Sequence, residues 1–165
     1  QVNNYARPVF EQVAGGFSLT QSGSTFTLDF GDLVQGTGLA TASLGVRNDV
    51  AGPADLLGGT FERSGTTVFQ LAGFTDFADL AAGDLFGGLS VGLDTATLGL
   101  FDYSLVLHPY GTNAGGFLGS LGDLTLALHA KVVTPAPVPE ASTVLLLGLG
   151  LAGLAGWRWR NRRMR

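Results

Sequence analysis

The stretch Gly99–Leu107, GLFDYSLVL, sets Phe101, Tyr103, Leu105 and Leu107 on every second residue, with Asp102, Ser104 and Val106 between them. Successive side chains of a β-strand point to opposite faces, so this alternation describes a strand with one buried face. Leu124–Val133, LTLALHAKVV, repeats the pattern through Leu124, Leu126 and Leu128. Working outward, Ser24–Phe30 alternates Phe26, Leu28 and Phe30 against Thr25, Thr27 and Asp29, and Gly16–Thr20 alternates around Phe17 and Leu19. The intervening Gln21-Ser22-Gly23 supplies turn chemistry, so these two segments predict a hairpin.

Further strands are expected at Leu39–Arg47, Leu57–Arg63, Thr67–Ala72 and Leu89–Leu93, separated by turn-rich segments such as Asn48–Pro53 and Ser64-Gly65. Seven to eight short strands spaced in this way predict an all-β, antiparallel sandwich. Two connections, Phe74–Gly88 and His108–Asp123, are longer than hairpins and read as loops, including Asp76–Leu80. The sandwich is expected over residues 15–133, with residues 1–14 as a lead-in outside it.

Composition narrows the class. The chain has 165 residues, of which 26 are glycine, and no cysteine, which excludes a disulfide framework and a thiolate metal site. The glycines follow no three-residue period, so the chain is not collagen-like. Up to Glu140 there are four basic residues (Arg7, Arg47, Arg63, Lys131) against 13 acidic ones, a formal charge of −9. A body this acidic excludes nucleic-acid binding through phosphates, which needs clustered Lys and Arg. The chain begins with Gln1 and no charged-then-apolar leader follows; an export signal is expected to have been removed or to lie outside these residues.

The C-terminal end has a different character. Thr134-Pro135-Ala136-Pro137-Val138-Pro139-Glu140 reads as a stiff, proline-rich linker over residues 134–140. Ala141–Trp157 is a run of 17 uncharged residues, about 25 Å long as a helix and at the short edge of what spans a bilayer. It is apolar all round, unlike a core helix with one apolar stripe. Trp157 and Trp159 suit the headgroup region. Arg158, Arg160, Arg162, Arg163 and Arg165 in segment 158–165 should stay cytoplasmic. The expected arrangement is a single transmembrane helix over 141–157 with the N-terminal side outside.

Pro139-Glu140, the apolar run and the arginine cluster, in that order, resemble the PEP-CTERM sorting signal of Gram-negative bacteria. The resemblance implies recognition and processing by an exosortase-type enzyme at Val138, Pro139, Glu140 and Ala141, with the five arginines as the stop signal. Ala141 stands where the family carries a second proline. The implied route is export, an inner-membrane intermediate with a periplasmic N-terminus, then the cell surface or extracellular matrix.

A second resemblance covers roughly Phe26 to Val133. Asp29-Phe30-Gly31, Gly36, Asn48, Phe69–Gly73, Ala82-Gly83, Leu89–Asp94 and Gly99 follow one another as in choice-of-anchor D domains. These are relatives of the ASH-type immunoglobulin-like modules, and the resemblance implies an immunoglobulin-like sandwich.

No Gly-x-Ser-x-Gly elbow, His-Glu-x-x-His helix or phosphate-binding glycine loop is present. His108 and His129, the only histidines, read as surface or satisfied polar residues. Asp29 with Asp32, Asp49 with Asp55, and Asp76 with Asp79 and Asp84 lie in or beside turns, where aspartate ordinarily serves the backbone. None follows the spacing of a calcium loop. Phe74, Phe77 and Phe86 in one long loop, with Tyr110 and Phe117 in the other, either cap the core or form an aromatic platform for sugars. The expectation is a non-enzymatic, exported structural or adhesive protein with no cofactor or metal, linked through its tail to exopolysaccharide matrix or biofilm. The alternative is a polysaccharide- or calcium-binding module permanently anchored in the membrane.

Overall fold

The computed structural model describes residues 4–136 together with residues 146, 147, 149 and 151. The chain divides into two units, Gln1–Thr134 and Pro135–Arg165. Within the first, the described residues form eleven strands: β1 (Pro8–Ala14), β2 (Ser18–Ser22), β3 (Thr25–Val34), β4 (Leu39–Asn48), β5 (Leu56–Arg63), β6 (Phe69–Ala72), β7 (Phe77–Leu80), β8 (Leu85–Asp94), β9 (Gly99–Thr112), β10 (Leu118–Ser120) and β11 (Leu124–Val133). One sheet has the order β1-β4-β8-β6. The other runs β2-β3-β11-β9-β5-β7, with β10 paired to β9.

The alternation of the sequence becomes the core. Phe26, Leu28 and Phe30 of β3, Leu105 and Leu107 of β9, and Leu126 and Leu128 of β11 are buried from one sheet. Ala42, Leu44 and Val46 of β4 and Leu89, Val91 and Leu93 of β8 meet them from the other. Each such large aliphatic side chain removed from water contributes about 1.5–3 kcal/mol. Aromatic rings close the contact between sheets: Phe10 meets Phe26 edge-on at 5.3 Å, and Phe30 lies 6.0 Å from Phe69.

Three expectations need correction. Residues 1–14 are not all lead-in, because Pro8–Ala14 is β1, paired with β4 from Pro8↔Asn48 onward. Its signal is a single buried aromatic, Phe10, on an otherwise half-exposed edge strand, too little to register as alternation. Among the described residues strands number eleven, not seven to eight, since β1 is added and both long connections contain pairing. Phe77–Leu80 forms β7, Leu85–Gly88 starts β8, β9 continues to Thr112, and Leu118–Ser120 forms β10. The sandwich is also not wholly antiparallel. β3 and β11 pair in parallel, Thr125↔Thr25 through Val133↔Val34. Parallel neighbours cannot be joined by a hairpin, and here most of the domain intervenes between them. The transmembrane helix expected over 141–157 is a separate matter, since it lies almost wholly outside the described residues; Leu146, Leu147, Leu149 and Leu151 are helical and exposed. Among the described residues no helix is long and apolar enough to cross a membrane.

One glycine is fixed by sterics. Gly73 has φ +77°, and a Cβ there would stand 2.1 Å from the Gly88 carbonyl oxygen, so no other residue fits this approach of β6 to β8.

Candidate functional site

Val138, Pro139, Glu140 and Ala141, and the five arginines Arg158, Arg160, Arg162, Arg163 and Arg165, lie outside the described residues. β11 ends at Val133, and Thr134, Pro135 and Ala136 follow it without regular structure and exposed to solvent. Proline cannot donate to a ladder, so strand pairing stops where the proline-rich segment begins. The sandwich therefore ends a few residues before Pro139-Glu140.

The sandwich itself has two differently built ends. At one, β4 terminates in Asn48, which is fully buried. Its Oδ1 accepts from the Arg7 amide at 3.0 Å, and its Nδ2 donates to the Asp55 and Leu80 carbonyls at 3.2 and 3.1 Å. Its main chain accepts from Gly83 and donates to Asp84. One side chain thus joins the segment before β1, the start of β5 and the end of β7. Asp55, 2% exposed, continues the network: its Oδ1 accepts from Asn113 Nδ2 at 2.8 Å. Asn113 Oδ1 in turn accepts from the Gly115 and Phe117 amides, shaping the loop between β9 and β10. Among the described residues no buried side-chain nitrogen or oxygen lacks a partner.

This end carries a cleft of about 610 Å³, lined by Tyr5, Arg7, Phe117, Ser120 and Leu121 among others. Tyr5 and Phe117 face each other with ring centroids 5.6 Å apart. A neighbouring groove of about 530 Å³ runs past Thr60, His108, Tyr110 and Leu118. At the other end, Thr95 is fully buried; its Oγ1 donates to the Gly38 carbonyl at 2.9 Å and accepts from the Gly38 amide at 3.0 Å. The Gln35 amide donates to the Val133 carbonyl at 2.8 Å there, so the chain leaves the sandwich at this pole.

The aromatic residues divide. Phe74 and Phe77 are buried, and Phe77 stacks on half-buried Phe86 at 4.5 Å, so this group caps the core. Tyr110 lies over Gly58, where a Cβ would meet its ring at 2.3 Å. Of the anticipated platform residues, Tyr110 lines the groove of about 530 Å³ and Phe117 the larger cleft, where its partner is Tyr5, a residue in the segment read as lead-in. No periodicity marks Tyr5, and no spacing marks the Asp55–Asn113 pair that serves Phe117.

The acidic pairs do not converge. Asp29 Oδ1 accepts from the Gly31 amide, Asp32 faces Lys131 at 3.7 Å, Asp49 faces Arg7 at 3.5 Å, and Asp55 is buried with Asn113. Among the described residues no three His, Cys, Asp or Glu side chains gather where a metal ion would fit. Each histidine pairs with carboxylates. His108 Nδ1 lies 2.8 Å from Asp123 and its Nε2 2.9 Å from Glu62, while His129 pairs with Asp102 across β11 and β9. Hydrogen bonds to Asp123 and then Glu62 raise the His108 pKa above its ordinary value. The hydrogen bond from Arg47 lowers the pKa of Glu11.

Residues 137–163 match the PEP-CTERM protein-sorting motif. No curated protein matches the chain. Among solved structures, the VesB protease of Vibrio cholerae is similar at 20% identity and a TM-score of 0.46, over 70% of this chain and 31% of that one. The chain thus spans about a third of the length of that protease. The ASH/PapD-like domain 7 of human CEP192 is similar at 7% identity and a TM-score of 0.41, over 64% of this chain and 82% of that one. WR4, a C. elegans MSP family member, is similar at 11% identity and a TM-score of 0.37, over 71% and 99%.

Proposed function

We propose that this chain is an exported, non-enzymatic β-sandwich protein, sorted through its C-terminal tail and held in an extracellular polysaccharide matrix or biofilm as a structural or adhesive element. The observation that carries this reading is the PEP-CTERM motif at residues 137–163. This motif implies export and processing by an exosortase-type enzyme at the membrane of a Gram-negative bacterium. The sandwich before it ends at Val133 and is followed by exposed Thr134, Pro135 and Ala136, an accessible approach to the motif for a processing enzyme. Processing falls at Val138–Ala141, with segment 141–157 as a transient span and the arginines of segment 158–165 as its cytoplasmic stop. Cutting there separates a body of formal charge −9 from a tail holding five of the nine basic residues, and the released sandwich remains soluble by self-repulsion.

The test is the C-terminal mass of the protein recovered from the surface of its host. A terminus near Glu140 is expected; an intact Arg165 on the mature surface form would remove processing and leave a permanent membrane anchor. Co-fractionation of the mature form with the host's matrix polymer tests the second half of the reading.

A further inference from the structure

Tyr5 is 69% exposed, and among the described residues it is the one large aromatic so displayed. Its backbone is nonetheless clamped on both sides. Asn4 donates its amide to the Pro53 carbonyl at 3.0 Å and its Nδ2 to the Ala51 carbonyl at 3.1 Å. Its own carbonyl accepts from Asp55 at 2.9 Å. On the other side, the Arg7 amide is held by Asn48 Oδ1 at 3.0 Å, and the Arg7 carbonyl accepts from Asp49 at 2.8 Å. With the main chain on either side already ordered, binding to this ring would cost only its side-chain freedom and no ordering of the backbone.

The facing ring is ordered from the same place. Phe117 lies in the loop shaped by Asn113, and Asn113 is held by the carboxylate of Asp55. Asp55 therefore positions both walls of the cleft: its amide holds Asn4, one residue from Tyr5, and its side chain holds the loop of Phe117. A buried carboxyl group is costly to desolvate, and an apolar residue would fill the space at lower cost. A role in ordering the two rings accounts for its presence.

We propose that the Tyr5–Phe117 cleft is a binding subsite for a neutral pyranose chain, with Asp55 as its positioning residue; this deepens, and rests on, the reading of the sandwich as a matrix-held domain. A pyranose presents an apolar C–H face that lies against an aromatic ring and a rim of hydroxyls that need polar partners. The cleft's lining supplies both kinds of residue, the aromatic Tyr5 and Phe117 together with the polar Ser120 and Arg7. Its volume of about 610 Å³ falls within the range of small-ligand sites. Charge selects the neutral polymer. Arg7 already faces Asp49 at 3.5 Å, and the body's formal −9 repels a polyuronate.

The experiment is affinity electrophoresis of the full chain in zwitterionic, sugar-free detergent, in gels cast with dextran, galactomannan, xyloglucan or alginate. Retardation is expected in at least one of the three neutral gels and not in alginate. Tyr5→Ala and Phe117→Ala should each weaken it by about tenfold or more. Because Tyr5 is exposed, its variant keeps the wild-type melting temperature and separates binding from folding. Asp55→Ala should also weaken retardation, whereas Asp55→Asn, which keeps an acceptor toward Asn113, should restore it. Leu118→Ala, in the neighbouring groove, should leave it unchanged. No retardation in any neutral gel, retardation by alginate, or equal retardation of wild type and Tyr5→Ala overturns the proposal. Host matrix polymer distinguishes the two failures. If wild type and Tyr5→Ala are both retained on it, the cleft is wrong and matrix retention stands; if neither is retained, matrix retention falls as well.

Discussion

At the pole where β4 ends, one buried carboxamide, that of Asn48, makes three hydrogen bonds to the main chain of three separate segments. At the opposite pole, one buried hydroxyl, that of Thr95, serves only the two turns beside it, through the amide and carbonyl of Gly38 and the hydroxyl of Thr37. The first pole displays a cleft with a clamped aromatic wall, and the second releases the chain toward its sorting tail. Main-chain bonds join some of these distant segments, Asn4 with Pro53 and Asp55 and Arg7 with Asp49, and the Asn48 side chain ties three of them to one point where the strand ladders have ended. The difference teaches that polar groups were placed inside this sandwich where loops had to be held in a definite relation. Where two turns had only to be closed, a single hydroxyl sufficed.

The comparison breaks first at Asn48. Asn48→Ala leaves the Arg7 amide and two carbonyls without their partner at a fully buried site, and the expected loss is about 3 kcal/mol or more. Urea unfolding should show it as a shift of midpoint with unchanged slope, and heating as a melting point lower by about 10 °C. Thr95→Val tests the other pole. It keeps the shape of the side chain, and the Gly38 carbonyl still accepts from the Thr95 amide at 3.2 Å, so only the Gly38 amide is orphaned. The expected cost is about 1 kcal/mol. Equal losses from the two variants would end the distinction between a hub and a closure.

Much of the architecture was legible because a half-buried strand writes its own period. Phe101–Leu107, Leu124–Leu128 and Phe26–Phe30 alternate in sequence and are the interior faces of three adjacent strands, β9, β11 and β3. Two of the four edge strands, β1 and β7, were not legible, whereas β2 and β6 were. β1 and β7 each bury a single aromatic ring, Phe10 and Phe77, among residues that face solvent or the sheet margin. One buried side chain has no period. The parallel pairing of β3 with β11 was hidden for another reason: neighbours so distant in sequence share no turn whose chemistry could announce them.

The two candidate sites differ in the same way. The sorting tail is a linear code, three signals in order between Pro139 and Arg165, so its reading needs no fold. The cleft is assembled from Tyr5, Asp55, Asn113 and Phe117, which come together only through the topology. Asp55 looked like an ordinary turn aspartate beside Asp49. The structure separates them, one buried and paired with Asn113, the other exposed beside Arg7.

The smallest expected effect sharpens the comparison, because it asks what an exposed charged cluster adds near the cleft compared with the buried amide of Asn48. His108 sits on β9 between the carboxylates of Asp123 and Glu62, with its side chain 40% exposed. Those two hydrogen bonds raise its pKa above the ordinary value of 6.5. The folded state therefore holds this proton more tightly than the unfolded state does. The resulting stabilisation is fully present below about pH 6.5 and is lost as pH rises through the raised folded value. Solvent screening at such exposure keeps it well under about 1 kcal/mol. Unfolding in urea at pH 6 and at pH 9 should show a slightly larger loss of stability in the wild type than in His108→Gln, which cannot titrate. A loss approaching that of Asn48→Ala would mean that the pole with the cleft is held by surface charge as much as by its buried amide. A flat difference between wild type and His108→Gln would show that the charged cluster adds nothing to the stability of this pole.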